Sequence, residues 1–263
     1  MSTHPRIGDP GPFTVDHLRS GDRYELSSGH AFYCAPTGGD GARRTGSAFE
    51  IIDSDPAVED AGIDPGFTPN KGTLRAPDVA VGVPDAPGWI AGAPPLAIEY
   101  AGSGQDEAEL QQKIRDLLGA GTRWIWVVRL VGPRRVEVHE PDRATAVRNI
   151  DDYLEAPGVL KNPVPVAALF DRAAAHEVTL RNLLQRRGYA DLDDVLAEGR
   201  AVGKAEGKAE GKAEALLAVL AARGLSASTA EVERIRACKD DPTLSGWLTR
   251  AVTAASTPDV FGD

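Results

Sequence analysis

One acidic side chain in the middle of the chain constrains the fold more than any other feature. Glu99 lies inside the apolar run Leu96-Ala-Ile-Glu-Tyr-Ala101. Alternation along an extended segment places Glu99 on one face with Ala97 and Ala101, and Ile98 and Tyr100 on the other. If both faces are covered, a carboxylate at that point must be paired, hydrogen-bonded or bound to a metal. The fold therefore has to supply a partner for it.

The segments around Glu99 are the most legible in the chain. Asp78-Val-Ala-Val-Gly-Val83 reads as a strand and 84–95 as a Pro/Gly loop. Leu96–Ala101 is a second strand, and Gln105–Leu118 a helix ended by Gly119 and Gly121. Trp124-Ile-Trp-Val-Val-Arg-Leu130 reads as a third, apolar strand. Arg135-Val-Glu-Val-His139 alternates and forms its hairpin partner across Gly132-Pro133. This order predicts an α/β (α+β) core built on a mixed sheet. Upstream, 1–23 reads as a Gly/Pro lead-in, and Tyr24–Cys34 as a strand pair turning at Ser27-Ser28-Gly29. Residues 35–46 read as a loop and 54–73 as irregular. The run Ser47–Asp53 fits helix and strand equally well by pattern.

The character changes after Pro165. The expected organisation is a sheet-containing domain over 1–165, a helical connection over 166–198, a repeat over 199–214 and a small helical module over 215–263. In the repeat, Gly199, Gly203, Gly207 and Gly211 recur at every fourth position. Each glycine costs a helix about 1 kcal/mol relative to alanine. The like-charged i,i+4 pairs among Lys204, Lys208 and Lys212 cost a little more. The segment is thus a weak helix by itself, serving as a polar spacer or as an association helix. The sequence Ser228-Thr-Ala-Glu231 matches a capping box, and Asp241-Pro242 opens another helix.

Composition narrows the function. No apolar run approaches the ~20 residues that span a bilayer, and Met1–Pro12 has no secretory apolar core, so a cytoplasmic protein is expected. Cys34 and Cys238 are too few for a disulfide scaffold or a cysteine-rich zinc site. The five histidines have no metal-binding spacing. A net charge of −10 weighs against a broad electrostatic grip on nucleic acid. It is compatible with a local cleft that meets phosphates through a metal ion.

Asp78, at the start of one strand, can supply a second carboxylate beside Glu99, and Lys113 lies on the helix that follows. Two converging carboxylates can hold Mg²⁺ together with waters and phosphate oxygens. A nearby lysine would orient the nucleophile or stabilise the oxyanion. Glu25 and Glu50 are further acids to consider, with an ordinary strand or helix acid as the competing reading; Gln112 neighbours Lys113.

Three segments carry a resemblance. Leu74-Arg-Ala-Pro-Asp-Val-Ala-Val81, Pro95-Leu-Ala-Ile-Glu-Tyr100, and Lys113 followed by Gly119-Ala-Gly-Thr-Arg-Trp-Ile-Trp-Val127 resemble the Uma-two family of restriction endonucleases, within the PD-(D/E)XK nuclease superfamily. Lys113 stands eight residues before Gly121, as that family's helix lysine does. The chain departs from the pattern at Ala101, where the superfamily usually has its lysine, at Leu117, which replaces a tyrosine, and at Gly102-Ser103-Gly104. The family's N-terminal helix has only 42–54 as a candidate. The resemblance implies a restriction-endonuclease-like mixed sheet flanked by helices, with an all-helical C-terminal extension. It implies a metal-dependent endonuclease acting on nucleic acid, with DNA as the expected substrate. Asp78 and Glu99 would hold Mg²⁺, with Mn²⁺ as a substitute and Glu25 as a further metal-site acid, and Lys113 would be catalytic. A homodimer is expected, since one such site cuts one strand and a pair cuts both. The rival reading is a non-cleaving nuclease fold that binds or assembles through its helical tail.

Overall fold

A computed structural model describes residues 11–104 and 106–262. The lead-in 1–10 and Gln105, the expected first helix residue, lie outside the described residues. Strands β1 (Tyr24–Ser27) and β2 (His30–Tyr33) form an antiparallel pair that turns through Ser28 and Gly29. Both turn residues have positive φ, the geometry that suits the twist of a two-residue hairpin.

Helix α1 (Gly39–Ser54) resolves the ambiguous run as helix and absorbs two-thirds of the expected loop. Its N-cap, Gly38, makes no side-chain cap bond, and Gly39, Gly41 and Gly46 lower its intrinsic propensity. Packing overrides this: Thr45, Ala48, Ile51 and Ile52 recur at helical spacing on the buried face. Its C-terminal carbonyls are covered by Arg186, whose guanidinium donates to Asp53, Ser54, Asp55 and Val58.

The region read as irregular holds three short strands, β3 (Ala61–Ile63), β4 (Phe67–Asn70) and β5 (Thr73–Arg75). Pro69 sits in β4 where the register with β5 shifts, a place where a missing N–H is tolerated. Then follow β6 (Val79–Val81), β7 (Ile90–Ala91), β8 (Leu96–Ala101), α2 (Glu107–Gly119), β9 (Trp124–Arg129), β10 (Arg135–His139) and β11 (Ala146–Asn149). Strand β7 lies inside the expected 84–95 loop and pairs parallel with β4. The small strands β12 (Tyr153–Leu154) and β13 (Val164–Pro165) precede α3 (Arg172–Arg186).

The main sheet is six-stranded and mixed, in the order β11-β10-β9-β8-β6-β3, with β8 and β9 parallel and joined by α2. A second sheet runs β2-β1-β5-β4-β7. One face of the main sheet carries Leu96, Ile98, Trp126 and Val128 against α1 and Ala175 and Val178 of α3. The other carries Ala97, Ala101, Ile125 and Val127 against Leu110, Ile114 and Leu117 of α2. Each buried Leu, Ile or Val among them contributes about 1.5–3 kcal/mol. Both faces of β8 are therefore covered, and Glu99 sits beneath α2. Trp124 and Trp126 are core residues. Cys34, one residue past the edge strand β2, is exposed.

The chain divides into two compact units, one ending at Ala190 and one beginning at Asp191. Since α3 packs into the first core, the change from strand to helix near 165 falls inside that unit. The second unit is all-helical: α4 (Leu192–Ala222), α5 (Thr229–Ala237), α6 (Asp241–Ala251) and a short α7 (Thr257–Phe261). Helix α4 runs straight through the glycine repeat. Asp191 caps its start by accepting from the backbone N–H groups of Asp193 and Asp194. Ala209, Ala213, Leu216 and Leu220 anchor its second half against Ile235, Leu244 and Trp247. The capping box at Ser228 and Glu231 is present. No described helix is long and apolar enough to cross a membrane.

Candidate active site

Asp78 follows Pro77 at the entry to β6. Antiparallel pairing of Val79 with Ile98 sets Asp78 opposite Glu99 on β8. Asp78 Oδ2 accepts the Tyr100 backbone N–H at 2.6 Å, which fixes the carboxylate against the neighbouring strand. Lys113 projects from α2 onto this pair. Its Nζ lies 2.7 Å from Glu99 Oε1, donates to Glu25 Oε1 at 2.9 Å, and donates to the Ala76 carbonyl at 2.7 Å. Two of the three ammonium N–H donors are thus engaged in hydrogen bonds, and Glu99 lies beside the ammonium at ion-pair distance. The structure thus brings Asp78, Glu99, Lys113 and Glu25 together. Glu50 is exposed on α1, which packs against the opposite face of the sheet.

Sequence reasoning passed over the second half of this cluster. Arg75, whose side chain is 3% exposed, joins Glu25 to Asp116. Its Nη1 donates to Glu25 Oε2 at 3.2 Å, while Nε and Nη2 grip Asp116 Oδ2 at 3.0 and 2.6 Å. Asp116 also accepts from Ser27 Oγ at 2.7 Å and from Gln112 Nε2 at 2.8 Å. Gln112 therefore serves Asp116. The Phe32 ring lies 5.3 Å from the Arg75 guanidinium carbon. Asp64, one residue beyond the Ile63–Val79 pair, donates its N–H to the Asp78 carbonyl at 3.3 Å and has positive φ. The available signal for Arg75 was its place two residues before Pro77-Asp78; Asp116 looked like an ordinary helix acid.

Burial dominates the electrostatics. It pushes Glu99 up to about 8, with Lys113 pulling the other way and Asp78 and Glu25 adding to the rise. Asp78 is raised by burial, offset by Lys113 and the Tyr100 N–H. Asp64 is raised by burial and then by Asp78. For Lys113, burial alone would favour the neutral amine, but Glu25, Glu99 and Asp78 outweigh it and hold the proton firmly. Lys113, charged and 2.7 Å from Glu99, limits the rise there, and a divalent cation at the site would favour the ionised carboxylate in the same way.

The donor set suits a divalent cation. Glu99 Oε1 has a charge partner in Lys113, yet no hydrogen bond of proper geometry among the described residues. Among the described residues the cations that meet the carboxylates of Glu25, Asp78, Glu99 and Asp116 are Lys113 and Arg75, which leaves two negative charges in excess when all four acids are ionised. No three His, Cys, Asp or Glu side chains among the described residues form a ready-made cage. Mg²⁺ does not need one, since it binds through one or two carboxylates and keeps its waters.

Comparison with known proteins bears on the family and the fold. A family described as "Putative restriction endonuclease", Uma2, matches residues 14–165. A crystal structure of "a putative nuclease belonging to DUF820" from Anabaena variabilis ATCC 29413 superposes with a TM-score of 0.53 at 20% identity, covering 62% of this chain and 99% of that one. At that identity the likeness is one of fold. No curated protein matches the chain. With more than half of its length matched, including β1, β6, β8 and α2, the chain belongs to the Uma2 (Uma-two) family.

Proposed function

We propose that the chain is a metal-dependent endonuclease that hydrolyses phosphodiester bonds of DNA at the Asp78–Glu99–Lys113 site. The observation that carries this reading is the ammonium of Lys113 set 2.7 Å from Glu99, with Asp78 directly across the strand pair. Asp78 and Glu99 are the residues that would hold Mg²⁺, or Mn²⁺ in its place. When bound, the ion supplies an activated water and stabilises charge on the scissile phosphate.

The side chains have separable tasks. The Tyr100 N–H keeps one Asp78 oxygen on β8 and so fixes the direction of the carboxylate. Glu25 and the Ala76 carbonyl hold two Lys113 protons. The third is free of a hydrogen bond to Glu99, which lies at ion-pair distance, and is the one that can turn to an attacking water or a phosphoryl oxygen as negative charge develops there. Glu25 has both oxygens engaged, which suits a role in holding the lysine better than one on the ion. Cutting both strands of a duplex would require two copies or two successive events.

The test is incubation of purified protein with supercoiled plasmid in Mg²⁺ or Mn²⁺. Metal-dependent nicking that EDTA and Asp78→Ala abolish is expected. Equal cleavage by wild type and Asp78→Ala would refute the assignment. Absence of cleavage on every DNA and RNA form, with folded protein, would favour a binding module.

A further inference from the structure

A buried arginine stands one residue removed from the proposed catalytic lysine, and its bonding is too directional for simple charge balance. Exchanging buried ions for apolar side chains is often neutral for stability, so neutralisation alone gives little reason to keep Arg75. The geometry supplies one. The guanidinium is a rigid planar fork, and two of its nitrogens are fixed on Asp116 Oδ2. Asp116 is itself fixed by Ser27 on β1 and Gln112 on α2. The remaining Nη1 then has one place to point, at Glu25 Oε2. That leaves Glu25 a single oxygen, Oε1, for Lys113.

We infer that Arg75, clamped by Asp116, is a positioning residue that acts through Glu25 to keep the Lys113 ammonium beside Glu99, with one N–H left for the reacting phosphate. The inference rests on the reading of Lys113 as the catalytic cation. Without Arg75, both Glu25 oxygens are open to the ammonium. Glu25 then takes two of its protons and draws Nζ away from Glu99. A displacement of about 1 Å at such a group costs on the order of 100-fold in rate.

The experiment is a double-mutant cycle with two readouts on full-length protein. The variants are Arg75→Met, Glu25→Gln, and the two combined, with circular dichroism to confirm folding. In plasmid cleavage, Arg75→Met is expected to lower kcat on the order of 100-fold with KM for DNA nearly unchanged. In the Glu25→Gln background, the same substitution should add only a small further loss, because the residue it acts through is already altered. A purely structural arginine would give the same loss in both backgrounds, and that result overturns the inference.

The second readout needs no activity. With limiting acetic anhydride and mass spectrometry, Lys113 labelling is compared with the exposed Lys161 and Lys204 as internal references. Labelling of Lys113 should change in Arg75→Met and in Glu25→Gln, and no further in the double variant. Unchanged Lys113 labelling in folded Arg75→Met also overturns the inference. Where Arg75→Met fails to fold, Asp116→Asn loosens the same clamp with the arginine in place and should change both readouts in the same direction; no change there counts against the inference equally. If wild type fails to cleave while the labelling cycle behaves as stated, the nuclease reading falls and the Arg75–Glu25–Lys113 linkage stands.

Discussion

Two lysine–carboxylate clusters, one in each unit, show how burial changes the meaning of the same chemistry. In the first unit one lysine, Lys113, is held by two carboxylates, Glu25 and Glu99, with side-chain exposures of 13% and 9% for lysine and acids. In the second, one carboxylate, Asp241, is held by two lysines, Lys208 at 3.0 Å and Lys212 at 2.6 Å. The distances are alike and the environments are not. Solvent screens the Asp241 cluster, and its pairing with Lys212 and Lys208 holds that carboxyl below its ordinary range. Around Lys113 desolvation dominates, and Asp78 and Glu99 are pushed up instead. Ion-pair distance alone separates neither structure from function; burial with an excess of one charge does.

The contrast can be broken at several points. The largest effect belongs to Lys113→Met. It leaves Glu25, Glu99 and Asp78 without their shared cation, and losing one partner of a buried ion group costs about 3–5 kcal/mol. Urea unfolding at neutral pH measures that loss, and plasmid cleavage should fall by on the order of 100-fold or more. Next is Leu216→Ala, which removes a fully buried side chain of the second unit. It should cost that unit about 2–5 kcal/mol. Hydrogen exchange should accelerate in α4 and α6, with the cleavage rate unchanged.

A third effect is a pH slope of opposite sign in the two clusters. Glu99 is raised in the folded chain, so its contribution to stability is complete below its unfolded pKa near 4.5 and is lost as pH rises through about 8. Stability should therefore decline between pH 5 and 8 in wild type, and the decline should flatten in Glu99→Gln. Asp241 is lowered, so its contribution is present above its unfolded value of 3.8 and is lost only as pH falls below it. Thermal melts across pH 3–8 on Glu99→Gln and Asp241→Asn separate the two. The smallest effect is Lys208→Ala, at an exposed pair that Lys212 backs up. Its melting curve should overlay that of wild type, and a large shift would undo the contrast.

The parts of the site that were legible in the sequence were those at odds with their surroundings. Glu99 stood out because a carboxylate in an apolar strand has to be matched. Asp78 and Lys113 followed from strand order and helix position. Arg75 and Asp116 stayed hidden because their meaning is tertiary. Arg75 sits in a three-residue strand among prolines and glycines, and Asp116 faces inward only because β1 and β5 pack on α2. Helix α1 was obscured by its glycines, which lower propensity at positions where packing decides. The glycine repeat of α4 misled in the same direction. It reads as a helix weak by itself, a spacer or an association helix, and it continues a helix anchored by Leu216 and Leu220.

The central claim is that a divalent cation belongs between Asp78 and Glu99. Calorimetric titration of Mn²⁺ into metal-free protein at neutral pH tests it without requiring a substrate. The account predicts one saturable site per chain in wild type, lost in the Asp78→Asn/Glu99→Gln double variant while the fold is retained. A silent wild-type titration, or undiminished binding in the double variant, would contradict it.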